Sequence, residues 1–263
     1  MADLRVGFLG DGHLNGVLRR TVEMTRPYRV IGSFGRQDEL PDATEMDVIV
    51  EAATPDAVRE RVPGVLAAGI DAILLSVGAL ADPEVRAGLL ASVPTHGGRG
   101  RLIACTGAIG GIDQVRALRT AGPLRALSIE SRKLPQVLVQ PWMTKDLRAA
   151  LRAGDAEIVV ADGLASDVAR LFPSSANVAA SLALAGDAWE FATARVIADP
   201  AAVATTHEIH AAGAIGEVRT IVTNAPSPER PRSSAVVSWA ALRALDDYAR
   251  LRGAPAPPGP LFL

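Results

Sequence analysis

Cysteine, lysine and aromatic residues are all scarce in this 263-residue chain, and each shortage narrows what the chain can be. The single cysteine, Cys105, excludes a disulfide within the chain and fits a reducing compartment. It lies in the apolar run Leu102-Ile103-Ala104-Cys105, where a small buried strand residue is the expected role rather than a catalytic thiol. Aromatic residues make up 4% of the chain against 49% hydrophobic residues, so the core must be built from Ala, Val, Leu and Ile, as buried parallel strands covered by helices are. Charge is nearly balanced, at −2, which removes the electrostatic case for nucleic acid or an acidic membrane as a partner. Positive charge is almost all arginine, with Lys133 and Lys145 the only lysines. The Ala-rich run 178–186 is too short to span a bilayer and reads as a buried helix. Met1-Ala2-Asp3 enters the first strand almost at once, leaving no room for a targeting peptide, so the expected location is cytoplasmic. No metal-ligand cluster, internal repeat or disordered linker is visible.

What is present begins at the N-terminus. Val6, Phe8 and Leu9 carry an apolar strand into the glycine-rich turn Gly10-Asp11-Gly12-His13-Leu14-Asn15-Gly16, and a helix is expected over 14–25, then a second strand over 28–34. Gly10 permits the tight turn, and Gly12 lets backbone approach a pyrophosphate at the helix N-terminus. The third glycine of the usual fingerprint falls where this chain has Asn15, which implies a different approach of helix to strand. Gly10, Gly12, His13 and Leu14 are thus candidate dinucleotide contacts, against the plainer reading of an ordinary strand-turn-helix.

Strand and helix patterns then alternate: strand 48–50, helix 55–68, strand 72–75, helix 82–92 and strand 102–105. This predicts a doubly wound parallel sheet, an α/β Rossmann domain over 1–120. Small residues follow each later strand, at Glu51-Ala52-Ala53-Thr54-Pro55, Ser76-Val77-Gly78-Ala79-Leu80 and Thr106-Gly107-Ala108-Ile109-Gly110-Gly111. Turn chemistry alone explains one such loop. Three at the carboxyl edge of one sheet suit a cofactor lying flat across it, which adds Ala53, Thr54, Ser76, Gly78 and Ala108 as candidate contacts.

Beyond residue 120 longer strands are expected, at 124–131, 156–161, 190–197 and 217–223, giving a second, mixed-sheet α+β domain over 121–233. A final helix over 234–250 and a Pro-rich, non-helical tail complete the chain, with 234–263 expected to pack back on the first domain. Of the four histidines, His13 lies in the glycine turn and His96 in a Gly-rich loop, both most simply solvent-facing or structural. His207 and His210 fall in Thr205-Thr206-His207-Glu208-Ile209-His210. If that segment is extended, His207 and Ile209 share one face and Glu208 and His210 the other.

The chain resembles the L-aspartate dehydrogenase family. The resemblance rests on Ser76-Val-Gly-Ala-Leu-Ala-Asp82, Thr106-Gly-Ala-Ile-Gly-Gly-Ile-Asp113, Ser131-Arg-Lys-Leu-Pro135, Phe172-Pro173 with Asn177-Val-Ala-Ala180, Ala198-Asp199-Pro200, His207-Glu208-Ile209 and Asn224-Ala-Pro-Ser227. These motifs occur in the family order over nearly the whole chain. The chain departs from the pattern at Asn15, at Ser175 where the family often has asparagine, and across Arg230-Pro231-Arg232-Ser233-Ser234.

The resemblance implies a homodimeric oxidoreductase that oxidises L-aspartate with a nicotinamide dinucleotide, or runs the reverse reductive amination. It places His207 as the catalytic general acid/base and Asn177 near the active site. A base of ordinary pKa near 6.5 suits amine oxidation and the hydration of the imine that follows. A dicarboxylate needs cationic partners, so Lys133 ranks first and Arg232 is a further candidate, although a lysine at a strand end is ordinarily exposed. Thr106, Ser233 and Ser234 are candidate neutral donors to the same carboxylates, the two serines being equally plausible caps of the last helix. For the cofactor, the acid usual at the end of the second strand is absent at Gly35 and Arg36 follows, which points to NADP at least as much as NAD. Asp38 is a possible substitute acid, and Arg36 can instead stack on adenine. The rival readings are a dehydrogenase or imine reductase for another small amino or oxo acid, and a cofactor-binding sensor without turnover.

Overall fold

In the computed structural model, which describes residues 3–93, 99–173, 177–230 and 233–259, the chain forms two compact units. The first takes Met1–Gly107 and resumes at Val237–Leu263; the second is the uninterrupted stretch Ala108–Val236.

The first unit runs β1 (Arg5–Leu9), α1 (His13–Thr25), β2 (Arg29–Phe34), β3 (Val48–Glu51), α2 (Pro55–Ala67), β4 (Asp71–Leu74), α3 (Pro83–Ser92) and β5 (Leu102–Ala104). Its five strands are parallel in the order β2-β1-β3-β4-β5. This doubly wound order reverses between β1 and β3, and ligands of such sheets bind outside the carboxyl ends of the strands at that reversal. β3 and β4 are buried at every position, as strands covered on both faces must be. The helices start on local signals. Thr54 caps α2 by accepting from Ala57 N at 3.2 Å, and Asp82 caps α3 by accepting from Glu84 N at 2.9 Å, each followed by proline at the first helical position.

The second unit runs α4 (Ile112–Thr120), β6 (Ala126–Lys133), α5 (Lys145–Ala153), β7 (Ile158–Leu164), α6 (Ala165–Leu171), α7 (Asn177–Gly186), β8 (Thr193–Ala198), β9 (Thr205–Gly213) and β10 (Gly216–Asn224). Its mixed sheet has the order β10-β9-β6-β8-β7, with β6 and β8 parallel and the other pairs antiparallel. α4 packs on β9, β10 and α7, and α7 on β6. The division therefore falls at Gly107 and not at 120, because those contacts draw α4 into the second unit.

The last helix, α8 (Val236–Leu251), brings Ala241, Leu242, Leu245, Tyr248 and Ala249 into one cluster with Leu4, Val6, Phe8, Leu18, Val22, Val48 and Val50 of the first unit. Two buried acids reinforce that packing. Asp246 accepts from Arg26 Nε at 2.9 Å and Tyr28 Oη at 2.7 Å, and Asp71 accepts from Tyr248 Oη at 2.8 Å. α8 begins two residues after Ser234, whose backbone pairs with Pro226, so neither Ser233 nor Ser234 is the residue just before the helix. Among the described residues no helix is long and apolar enough to cross a membrane.

Candidate active site

The glycine turn leads from β1 into α1. Gly10 has φ +105°, and a Cβ there would lie 2.8 Å from Ala53 Cβ, so both conformation and space demand glycine. Gly12 is exposed and is the N-cap of α1, with no side chain capping the helix and no acid in its first turn. The bare Gly12 backbone leaves room for an anion at the N-terminus of this 13-residue helix, where the helix dipole favours negative charge. A dinucleotide pyrophosphate fits this turn. His13 and Leu14 follow, both half-buried.

Asn15 is not a compromised third glycine. It is 1% exposed, and its Nδ2 donates to Leu9 O at 2.7 Å and Gly10 O at 2.9 Å, tying the helix to the end of β1 and holding the turn by hydrogen bonds. Replacing Asn15 with alanine should cost about 1–3 kcal/mol of stability, from buried hydrogen bonds lost, and weaken dinucleotide binding. Urea denaturation and cofactor titration check both effects.

At the end of β2, Asp38 Oδ2 accepts from Gly35 N at 2.7 Å, and a Cβ on Gly35 would lie 3.1 Å from Asp11 Oδ2. Arg36 is exposed and pairs with Glu60, its Nε donating at 2.9 Å. Arg61 holds the loop by donating to the carbonyls of Gly35, Arg36 and Asp38. This corner therefore offers acid for ribose hydroxyls and a cation for a phosphate.

The two loops after β3 and β4 contain Ala53, Thr54, Ser76 and Gly78. Ala53 is half-buried, the Thr54 hydroxyl is occupied as the cap of α2, and Ser76 and Gly78 are buried. Thr106, after β5, is exposed and belongs to the first unit, whereas Ala108 opens the second, so the third loop straddles the division. The Ala108 carbonyl accepts from Asn224 Nδ2 at 2.8 Å.

In the second unit the inward row of the sheet changes character along its length. β6 turns Leu127, Ile129, Ser131 and Lys133 inward, and β9 turns His207, Ile209 and Ala211 inward. Pairing sets Leu127 opposite Ala211, Ile129 opposite Ile209 and Ser131 opposite His207, so an apolar row ends in a polar one. His207 is 1% exposed, with Nδ1 at 2.8 Å from Ser131 Oγ. Burial, then the nearby Lys133 ammonium, pushes its imidazole down to about 3. Lys133 is itself only 6% exposed, against the ordinary expectation for a strand-end lysine, and burial pushes it down to about 8. Glu208 is exposed and His210 half-buried, on the other face.

Asn177, the first residue of α7, is half-buried. Ser233 and Ser234 lie in an extended return in which Ser233 O accepts from Ser227 N at 2.7 Å. Arg232, Ser175 and His96 lie outside the described residues. The motifs did not single out Ser131 as a partner for His207, since only strand register pairs them. Glu51 also went unassigned, although a carboxyl ending the run Val48-Ile49-Val50 is itself a signal. Cys105 is buried, and burial pushes its thiol up, which makes it inert.

Residues 6–102 match the NAD-binding domain of homoserine dehydrogenase. A solved aspartate dehydrogenase from Thermotoga maritima superposes with a TM-score of 0.73 at 21% identity, covering 98% of this chain and 100% of that one, and so shares the fold. Fold and side chains together define the class, a two-unit α/β protein of the dinucleotide-dependent dehydrogenase type. Residues 113–248 match the aspartate dehydrogenase C-terminal family, and an L-aspartate dehydrogenase of Methanosarcina mazei is 32% identical over 262 residues, 92% of this chain and 96% of its own. The chain belongs to the L-aspartate dehydrogenase family. Another member, from Pseudomonas aeruginosa, is 35% identical over 235 residues, 89% of this chain and 83% of that one.

Proposed function

We propose that this chain is an NAD(P)-dependent L-aspartate dehydrogenase, converting L-aspartate to iminoaspartate and then to oxaloacetate and ammonia, or the reverse. The observation that carries the reading, in a chain of this family, is the buried polar row of Ser131, Lys133 and His207. The turn from Gly10 to Leu14 would hold the pyrophosphate, the loops with Ala53, Thr54, Ser76 and Gly78 the nicotinamide end, and Asp38 or Arg36 the adenosine ribose or its phosphate. A bound nicotinamide supplies hydride acceptance from the substrate Cα.

The protein's own part is charge and proton handling. Lys133 is cationic at neutral pH and binds a substrate carboxylate. His207 is neutral there, and in the tautomer a base needs, Nδ1–H donates to Ser131 Oγ and leaves the Nε2 lone pair available. A carboxylate beside Lys133 offsets one of the two causes that depress the imidazole, so substrate binding makes His207 a stronger base. The imidazole takes one proton from the substrate ammonium as the Cα–H pair departs, leaving an iminium. After giving that proton up to solvent, it takes a proton from the attacking water, returns it to the nitrogen, and accepts the carbinol hydroxyl proton as the carbonyl forms and ammonia leaves. Asn177, Thr106, Arg232, Ser233 and Ser234 are the further candidates for polar contacts to substrate.

The test is cofactor reduction by the purified chain across a panel of amino acids with NAD and with NADP, followed in the near ultraviolet. Signal from aspartate alone supports the reading; signal from another amino acid instead, or from none, removes it. Lys133→Met should raise KM for aspartate about 10- to 100-fold, the loss of one charge-assisted contact. In the native chain kcat/KM should fall as pH rises through about 8, where Lys133 loses its cation, and pH profiles of the two proteins should differ in that limb. A cytoplasmic location, which the single buried cysteine supports, and a homodimer formed through the second-unit sheet complete the proposal. Light scattering that gives a monomer at assay concentration removes the dimer.

A further inference from the structure

Glu51 ends β3 with its side chain fully buried, at 0% exposure. Among the described residues the other buried acids, Asp71 and Asp246, meet tyrosine hydroxyls and arginines. Glu51 does not. Its Oε1 accepts from Ala53 N at 2.7 Å and its Oε2 from Ser76 N at 3.0 Å, and the Ser76 hydroxyl also bonds it. Each oxygen therefore fastens a different loop, one after β3 and one after β4, while the Glu51 carbonyl accepts from Leu75 N at 2.9 Å. A buried acid satisfied only by amides and one hydroxyl is costly, and an apolar residue would fill the space with less penalty. What the carboxylate does that an apolar residue cannot is set the distance between two loops.

We propose that Glu51 is a positioning residue for the dinucleotide, holding the loops that carry Ala53, Thr54, Ser76 and Gly78 at the spacing the cofactor requires. This rests on the reading that those loops meet the cofactor. Protonating Glu51 turns an acceptor oxygen into a hydroxyl and releases one loop. Leu9 of β1 and Leu74 of β4 stand opposite it in register. Burial, the largest cause, pushes its carboxyl above the ordinary range, against the bonds from Ala53, Ser76 and Leu75.

The experiment compares the native chain with Glu51→Gln, whose amide keeps one acceptor and turns a donor toward the other loop. Fluorescence titration with NADH and NADPH should show at least about tenfold weaker binding of both, as expected for losing a hydrogen bond to a charged acceptor. Turnover of aspartate at saturating cofactor should stay within about threefold of native. Native cofactor affinity should also weaken as pH falls through a raised carboxyl pKa, with the variant flat over the same range. That pH profile needs no variant, so it holds even where Glu51→Gln misfolds, and loss of packing alone would not produce it. Binding within twofold of native by the variant, or a flat native profile, overturns the role of Glu51 and leaves the cofactor site standing. A native chain that binds neither cofactor overturns both.

Discussion

Replacing His207 with alanine should lower turnover of L-aspartate by about 10²- to 10⁴-fold, the usual contribution of a positioned general acid/base, and leave NADH and NADPH affinity unchanged. His207 sits where an apolar row of the second-unit sheet turns polar, and neither Ile209 nor Ala211 beside it can move a proton. Its depressed basicity is no objection to that role. The two causes are burial and the Lys133 ammonium, and a bound dicarboxylate counteracts the second. The acid limb of kcat/KM should accordingly lie well below 6.5 in the free enzyme and move upward in Lys133→Met, where the ammonium is gone. Ser131→Ala should give a smaller loss, because it frees the ring to rotate without removing the base. Full turnover by His207→Ala with intact cofactor binding would exclude His207 as the proton carrier and return the search to Lys133.

Asp246→Ala should be the most damaging single change to the first unit away from any ligand. Asp246 is 5% exposed and accepts from Arg26 Nε and Nη2 and from Tyr28 Oη. Removing one partner of a buried ion pair typically costs about 3–5 kcal/mol, and the partly exposed Arg26 side chain puts this case near the lower end. A loss of about 3 kcal/mol corresponds to a drop in Tm of about 6–12 °C for a chain of this size. Asp246→Asn keeps the shape and an acceptor for Tyr28, so it should cost less. Equal melting of Asp246→Ala and the native chain would mean that apolar contacts alone hold α8 in place.

The parallel sheet was legible because β1, β3 and β4 are short apolar runs ended by small residues, a pattern that reports burial on both faces. The glycine turn was legible as well, but Asn15 read only as a missing glycine, since the two carbonyls its amide reaches are set by backbone geometry. The second unit was harder. β6 and β8 begin two and three residues later than their apolar content suggests, and the helix expected at 234 starts at 236, because bridging between Pro226 and Ser234 competes with the serine caps. Lys133 was legible as a candidate but not as a buried one. Its surroundings depend on which strand lies beside β6, a long-range property that no local pattern carries. The same holds for Ser131, which meets His207 across 76 residues of sequence.

The first unit is completed by residues from both ends of the chain, and its core cluster includes five side chains of α8. During synthesis, the sheet face formed by Val6, Phe8, Val48 and Val50 stays without that cover until the final helix has left the ribosome. The intervening stretch Ala108–Val236 is continuous and has every strand of its own sheet by residue 224, so it can fold first. Truncation behind Asn224 should therefore yield a chain whose N-terminal half aggregates, while a circular permutant that joins α8 directly to β1 should mature faster than the native order.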